Sequence, residues 1–172
     1  MIVSKYFDNM KLLRLELDKY KRQKALKKEF FAKSLVKAHM DKAKHNLKFV
    51  SRIRTDEEFN DWIVVGLYYA AYHAALALVA NKGHVSKNHD ATLIFIMHEY
   101  HLEKNEIELL DRLSITKTDA EFYASLKKKR HEASYSTNIM FRNDMIKEYI
   151  NKTIDFINKT EEMLESSGIN IR

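Results

Sequence analysis

The sequence predicts an all-α protein, an up-and-down bundle of about five to six helices, and three observations carry that expectation. Proline is absent and the 172 residues include only 3 glycines, so the turn chemistry that a many-stranded sheet consumes is missing. Apolar residues recur at three- and four-residue spacing through most of the chain. Two Thr-x-x-Glu sequences, at Thr55 and Thr118, have the form of capping boxes that start helices. With 45% hydrophobic and 31% charged residues the composition is globular, and the length fits a single domain over 1–172, with 1–26 as an added N-terminal helix.

The first helix is expected from about Tyr6 to Lys24, where Phe7, Met10, Leu13, Leu17 and Tyr20 form an apolar stripe. It runs into a basic cluster of Lys19, Lys21, Arg22, Lys24, Lys27 and Lys28. A second helix reaches about Arg52 on Phe31, Leu35, Ala38, Ala43, Leu47 and Val50. Thr55 with Glu58 predicts the start of a third helix that runs to Lys82 and stops at Gly83. Within it Gly66, Ala70, Ala74 and Ala77 make a smooth strip that lets a neighbouring backbone approach. Ser86 or Asn88 caps a fourth helix holding Leu93, Ile94, Ile96 and Met97, and a fifth starts near Lys104 with Ile107, Leu110 and Leu113. After a break over 114–118, Thr118 with Glu121 predicts a helix to Arg130 or His131, followed by a loop over 133–138. Met145, Tyr149, Thr153, Phe156 or Ile157, Thr160 and Leu164 mark the last helix.

Several function classes fall away. The chain has no cysteine, which removes disulfides and thiolate metal sites and fits a reducing compartment such as the cytoplasm. Three isolated glycines cannot build a phosphate loop of the P-loop or dinucleotide type, and no Gly-x-Ser-x-Gly elbow is present. The first 21 residues carry scattered charges and are not read as a secretory signal. Residues 62–80 lack formal charge, yet Tyr68, Tyr69, Tyr72 and His73 at their middle favour a buried central helix over a membrane span. His98 and His101 could share a helix face but lack a third ligand, so no metal or cofactor is expected, and His73 reads as a hydrogen-bonded core histidine.

What remains is cationic. Lys127, Lys128, Lys129 and Arg130 are followed by His131 and then Tyr135. Arginine beside a proton-transfer group at the end of a helix can hold a phosphodiester and shuttle a proton, which metal-independent RNA cleavage requires. The same four basic residues could equally be a solvated helix end opposing its own dipole.

Three local patterns, in order, resemble the HEPN domain family (higher eukaryotes and prokaryotes nucleotide-binding). They are the run from Tyr68-Tyr69-Ala70-Ala71-Tyr72-His73 to Leu78, then Gly83 followed by Ser86-Lys87-Asn88-His89, and last Arg130-His131-Glu132-Ala133-Ser134-Tyr135. The resemblance spans about residues 27–158 and is to the small prokaryotic branch. It implies a HEPN-like bundle that forms a homodimer, a nucleotide- or RNA-linked role with Lys127, Lys128, Lys129 and Arg130 on the phosphates, and a minimal nucleotidyltransferase as partner in a toxin–antitoxin pair. Catalytic members place a histidine four to six residues beyond the arginine. Here Tyr135 stands in that region, and tyrosine, with an ordinary pKa of about 10, is a poor base at neutral pH. Binding without cleavage is therefore the first expectation. An active metal-independent RNase toxin using Arg130 with His131 or Tyr135 is the alternative, and a non-catalytic interaction module is the other.

Overall fold

The computed structural model of the chain describes residues 4–100, 115–136 and 141–170. Where the sequence predicts one first helix, a short turn α1 (Ser4–Phe7) is separated from helix α2 (Met10–Arg22). The break is local chemistry: Asn9 Oδ1 accepts from the Leu12 amide at 3.0 Å and so caps a new helix. α2 closes with the amides of Lys24 and Ala25 bonded back to the carbonyls of Lys21 and Tyr20, the hydrogen bonds of a Schellman motif, and Lys24 takes the left-handed φ of 56°.

The chain then does what its composition does not suggest and forms a strand, β1 (Leu26–Lys28). A 3-10 turn over Ala32–Leu35 leads into α3 (Val36–Ile53), and a second over Glu57–Phe59 into α4 (Asn60–Asn81). Strand β2 (His84–Ser86) pairs antiparallel with β1, Leu26 opposite Ser86 and Lys28 opposite His84. Three helices complete the described chain: α5 (His89–Glu99), α6 (Lys117–Tyr135) and α7 (Asn143–Ser166). The helix expected near Lys104 lies outside the described residues.

α4 is the axis of the bundle. It packs against α3, α6 and α7 with α5 at its flank, and its side chains from Ile63 to Asn81 are almost all buried. It is long and apolar enough to cross a membrane by length and composition, but 78% of that apolar window is buried against the rest of the protein. The small-residue strip behaves as predicted: a Cβ on Gly66 would lie 2.7 Å from Val50 Cγ2 of α3, and Ala70, Ala74 and Ala77 are fully buried. The start of α4 is not at Thr55. Asp56 Oδ1 takes the Glu58 amide at 3.1 Å, and the helix begins at Asn60, whose Nδ2 donates to the Phe141 carbonyl and to Asn143 Oδ1, both at 2.9 Å. A tie to the entry of α7 thus sets the boundary that the local box does not. Gly83, at φ 73°, ends the helix as expected.

Two further boundaries differ. The capping box of α6 is Thr116 with Asp119, two residues earlier than Thr118 with Glu121. α6 also continues through Tyr135, so the loop expected from Ala133 begins only at Ser136. Asn88, rather than Ser86, caps α5: its Oδ1 accepts from the amides of Asp90 and Ala91, both at 2.9 Å.

Candidate functional site

The inward stripe of α6 is Tyr123 and Leu126, both buried, and a further four residues along comes Arg130. Helical spacing therefore turns Arg130 toward α4, and its side chain is half-buried there. Its guanidinium carbon lies 5.2 Å from the centroid of the Tyr68 ring, a cation–π arrangement. Its Nε is buried and has no hydrogen-bond partner among the described residues. His131, the next residue, is rotated by about 100 degrees and is exposed. Its ring sits 4.8 Å from that of Tyr135, which is 71% exposed.

Tyr68 is fully buried, and its hydroxyl meets Nδ1 of His89 at 2.5 Å. His89 is the first residue of α5, held there by the Asn88 cap. Tyr72, one turn along α4, lies with its ring 4.2 Å from that of His89 and parallel to Tyr68 at 6.1 Å. Burial holds the His89 pKa below its ordinary value, and Lys127 and Arg130 push the same way against Asp90. Burial raises the pKa of Tyr68, with Arg130 opposing, and raises that of Tyr72. At neutral pH the pair is therefore a protonated phenol beside a neutral imidazole. Either the phenol donates to Nδ1 or Nδ1–H donates to the phenol oxygen, according to the tautomer of His89.

The three lysines before Arg130 are not equivalent. Lys127 Nζ donates to Asp90 Oδ1 at 2.7 Å, and Lys129 Nζ to Glu132 Oε2 at 2.7 Å. Lys128 is 78% exposed and stands 3.9 Å from Glu132. A cleft of about 520 Å³ runs along α6, bounded by Asp90 of α5 and by Ser125, Lys127, Lys128, Arg130 and His131. The structure thus brings Arg130 together with Tyr68, His89 and Lys127. It does not bring Arg130 together with Tyr135.

His89 and Tyr68 are the residues the sequence reading did not place in the site. Both lie in the motifs quoted for the family resemblance, and the signal that could have promoted His89 is its position directly after a capping asparagine, at the mouth of a helix. The other histidines settle elsewhere. Nδ1 of His73 is 3.2 Å from Nδ1 of His39 on α3, hydrogen-bonded as expected but half-buried rather than in the core, and His98 Nδ1 lies 3.0 Å from Glu99 Oε1. His101 lies outside the described residues.

A family model described as the HEPN domain matches residues 36–163, from the start of α3 to near the end of α7. No curated protein matches the chain.

Proposed function

This chain belongs to the HEPN domain family, and on that premise we propose that it binds the phosphate of a nucleotide or RNA in the cleft between α6 and the start of α5. The observation that carries the reading is Arg130, a cation fixed on the Tyr68 ring with a buried Nε left without a partner among the described residues. A guanidinium already held in place loses little further freedom when an oxyanion arrives. The first amides of α5 are occupied by the Asn88 side chain, so side chains must make the contacts. Arg130, Lys127 and Lys128 supply the donors of the cleft, which suits binding, beside the carboxylates of Glu121 and of Asp90, the latter already holding Lys127.

One observation favours a second reading, metal-independent RNA cleavage: His89 is held neutral beside Arg130. In that reading Nδ1–H of His89 donates to the Tyr68 hydroxyl, and its unprotonated Nε2, in place of His131 or Tyr135, takes the proton of the 2′-hydroxyl as that oxygen bonds to phosphorus. The P–O5′ bond breaks to leave a 2′,3′-cyclic phosphate, and water protonates the departing 5′ oxygen. The test is mixed RNA with EDTA, beside Arg130→Ala and His89→Gln. Intact RNA whose retention falls with salt and is lost in Arg130→Ala supports binding. Cutting that disappears in both variants establishes cleavage. No retention at either salt leaves the interaction module.

Two proposals follow from family membership. The first is a homodimer, for which Trp62, 57% exposed, and Tyr69, two turns along the same face of α4, are the surface to test by scattering against a monomer mass of 20.4 kDa. The second is a minimal nucleotidyltransferase partner of a toxin–antitoxin pair, tested by co-purification with the product of a neighbouring gene.

A further inference from the structure

We infer that the segment from the end of α2 to the 3-10 turn before α3 is a second nucleic-acid surface, which holds a single-stranded RNA continuing out of the cleft. Its direction rests on the phosphate-binding reading of the cleft; its existence rests on its own charge. Between Lys19 and Lys33 the chain has seven Lys or Arg and one acid, Glu29, leaving 23 of each sign for all other residues. The whole formal net charge of +6 therefore lies in this one segment. It precedes residue 36, where the family match begins, so what the family shares does not explain it.

Part of this charge has a structural use. Lys19 pairs with Glu16 at 2.7 Å, and Lys21 and Arg22 sit in the last turn of α2, where cations offset exposed carbonyls. Lys24, Lys27, Lys28 and Lys33 lie beyond the helix, are exposed, and make no ion pair among the described residues. Lys24 occupies the left-handed closing position that favours glycine, so a charged side chain is kept there against the backbone's preference. Among these cations Phe30 is 98% exposed, edge-on to Phe31 at a centroid distance of 5.6 Å. An uncovered ring among lysines is the element on which a base stacks.

The surface adjoins the cleft. β1 lies against β2, the Lys87 amide donates to the Ala25 carbonyl at 3.2 Å, and two residues further on is His89. Two rings at one point give a bilayer little apolar area, whereas a line of cations leading to a phosphate cleft matches a polynucleotide.

The test uses the full-length protein and fluorescence anisotropy with labelled oligouridylates of about 20 and about 4 nucleotides across a salt series. The triple variant Lys24→Gln, Lys27→Gln, Lys28→Gln is expected to weaken the long probe about tenfold or more, to reduce its salt slope by about 2, and to leave the short probe unchanged. Phe30→Ala should weaken the long probe about fivefold or more. Lys24→Gly should raise the melting temperature while weakening the long probe, a combination a purely structural lysine would not give. An unchanged slope in the triple variant, with both probes lost in Arg130→Ala, overturns the surface and leaves the cleft. Loss of the long probe in the triple variant, with Arg130→Ala without effect on either probe, upholds the surface and overturns the cleft. Binding to phosphatidylserine vesicles that the triple variant abolishes, with no binding of the long probe, overturns the proposal in favour of a membrane.

Discussion

The guanidinium carbon of Arg130 sits 5.2 Å from the centre of the Tyr68 ring, while its chain neighbour His131 turns outward to Tyr135. Adjacent residues of one helix thereby have separate surroundings, and mutation should tell them apart. Arg130→Ala is expected to weaken RNA or nucleotide retention about tenfold or more, the scale of a lost charge-assisted contact. Arg130→Lys should restore little of it, because an ammonium reproduces neither the planar stacking nor the forked donors. His131→Ala and Tyr135→Phe should stay within about twofold of wild type. Filter retention at fixed salt, with a melting curve for each variant, reads all four.

His89 should titrate below the ordinary histidine value of about 6.5, and its neighbours supply a check on the cause. Burial is the largest contribution and the cations of Lys127 and Arg130 come next, so Lys127→Gln should move the midpoint upward without restoring it fully. Tyr68→Phe removes the hydroxyl that meets Nδ1 and leaves a half-buried ring nitrogen unpaired, which should cost about 1–2 kcal/mol of stability. Protonating His89 adds a positive charge beside Lys127 and Arg130 of the cleft, so phosphate affinity should rise as pH falls through its midpoint. Imidazole nitrogen NMR with and without inorganic phosphate measures both.

The contact between His39 and His73 sets a pH dependence of folding. Their Nδ1 atoms, 3.2 Å apart, need one donor and one acceptor, an arrangement that double protonation destroys. Burial pushes His73 down to about 4, with His39 and Lys42 acting the same way, and burial lowers His39 too. The unfolded chain, with histidine near about 6.5, binds more protons through this window. Stability present above about 6.5 should therefore fall as pH drops toward about 4 and level off below it. Because His73 is only half-buried the loss is discounted to about 1 kcal/mol. The melting temperature of His73→Phe should show a shallower slope over that window than wild type.

How legible each feature was follows from how local its cause is. The buried run of α4, its stop at Gly83 and the Gly66 to Ala77 strip depend on spacing within one helix, and the sequence carries that spacing openly. β1 and β2 are three residues each and join positions nearly sixty residues apart, too short for an alternating pattern and too distant for a turn signal. The cleft has the same difficulty. Arg130 is readable as a cation at a helix end with His131 and Tyr135 near it in sequence, but its neighbours Tyr68 and His89 come from α4 and α5, through packing that chain order does not record.

The start of α6 shows this in miniature and yields the last prediction. Thr116 with Asp119 and Thr118 with Glu121 are overlapping boxes of the same chemistry, so a local rule cannot choose between them. The third dimension chooses: Asp119 Oδ2 accepts from the Thr116 amide at 2.9 Å, from its hydroxyl at 2.8 Å, and from Lys159 Nζ of α7 at 2.6 Å. One carboxylate thus caps α6 and ties it to α7, and both charged side chains are largely buried, at 17% and 19% exposure. Asp119→Ala loses the cap and leaves Lys159 without this partner, at about 2–3 kcal/mol. Thr116→Ala removes one half of the box at about 1 kcal/mol, and Thr118→Ala, an exposed residue inside the helix, should change stability by less than about 0.5 kcal/mol. Urea unfolding of the three variants checks the order, and a Thr118→Ala variant as damaged as Thr116→Ala would place the helix start at the other box.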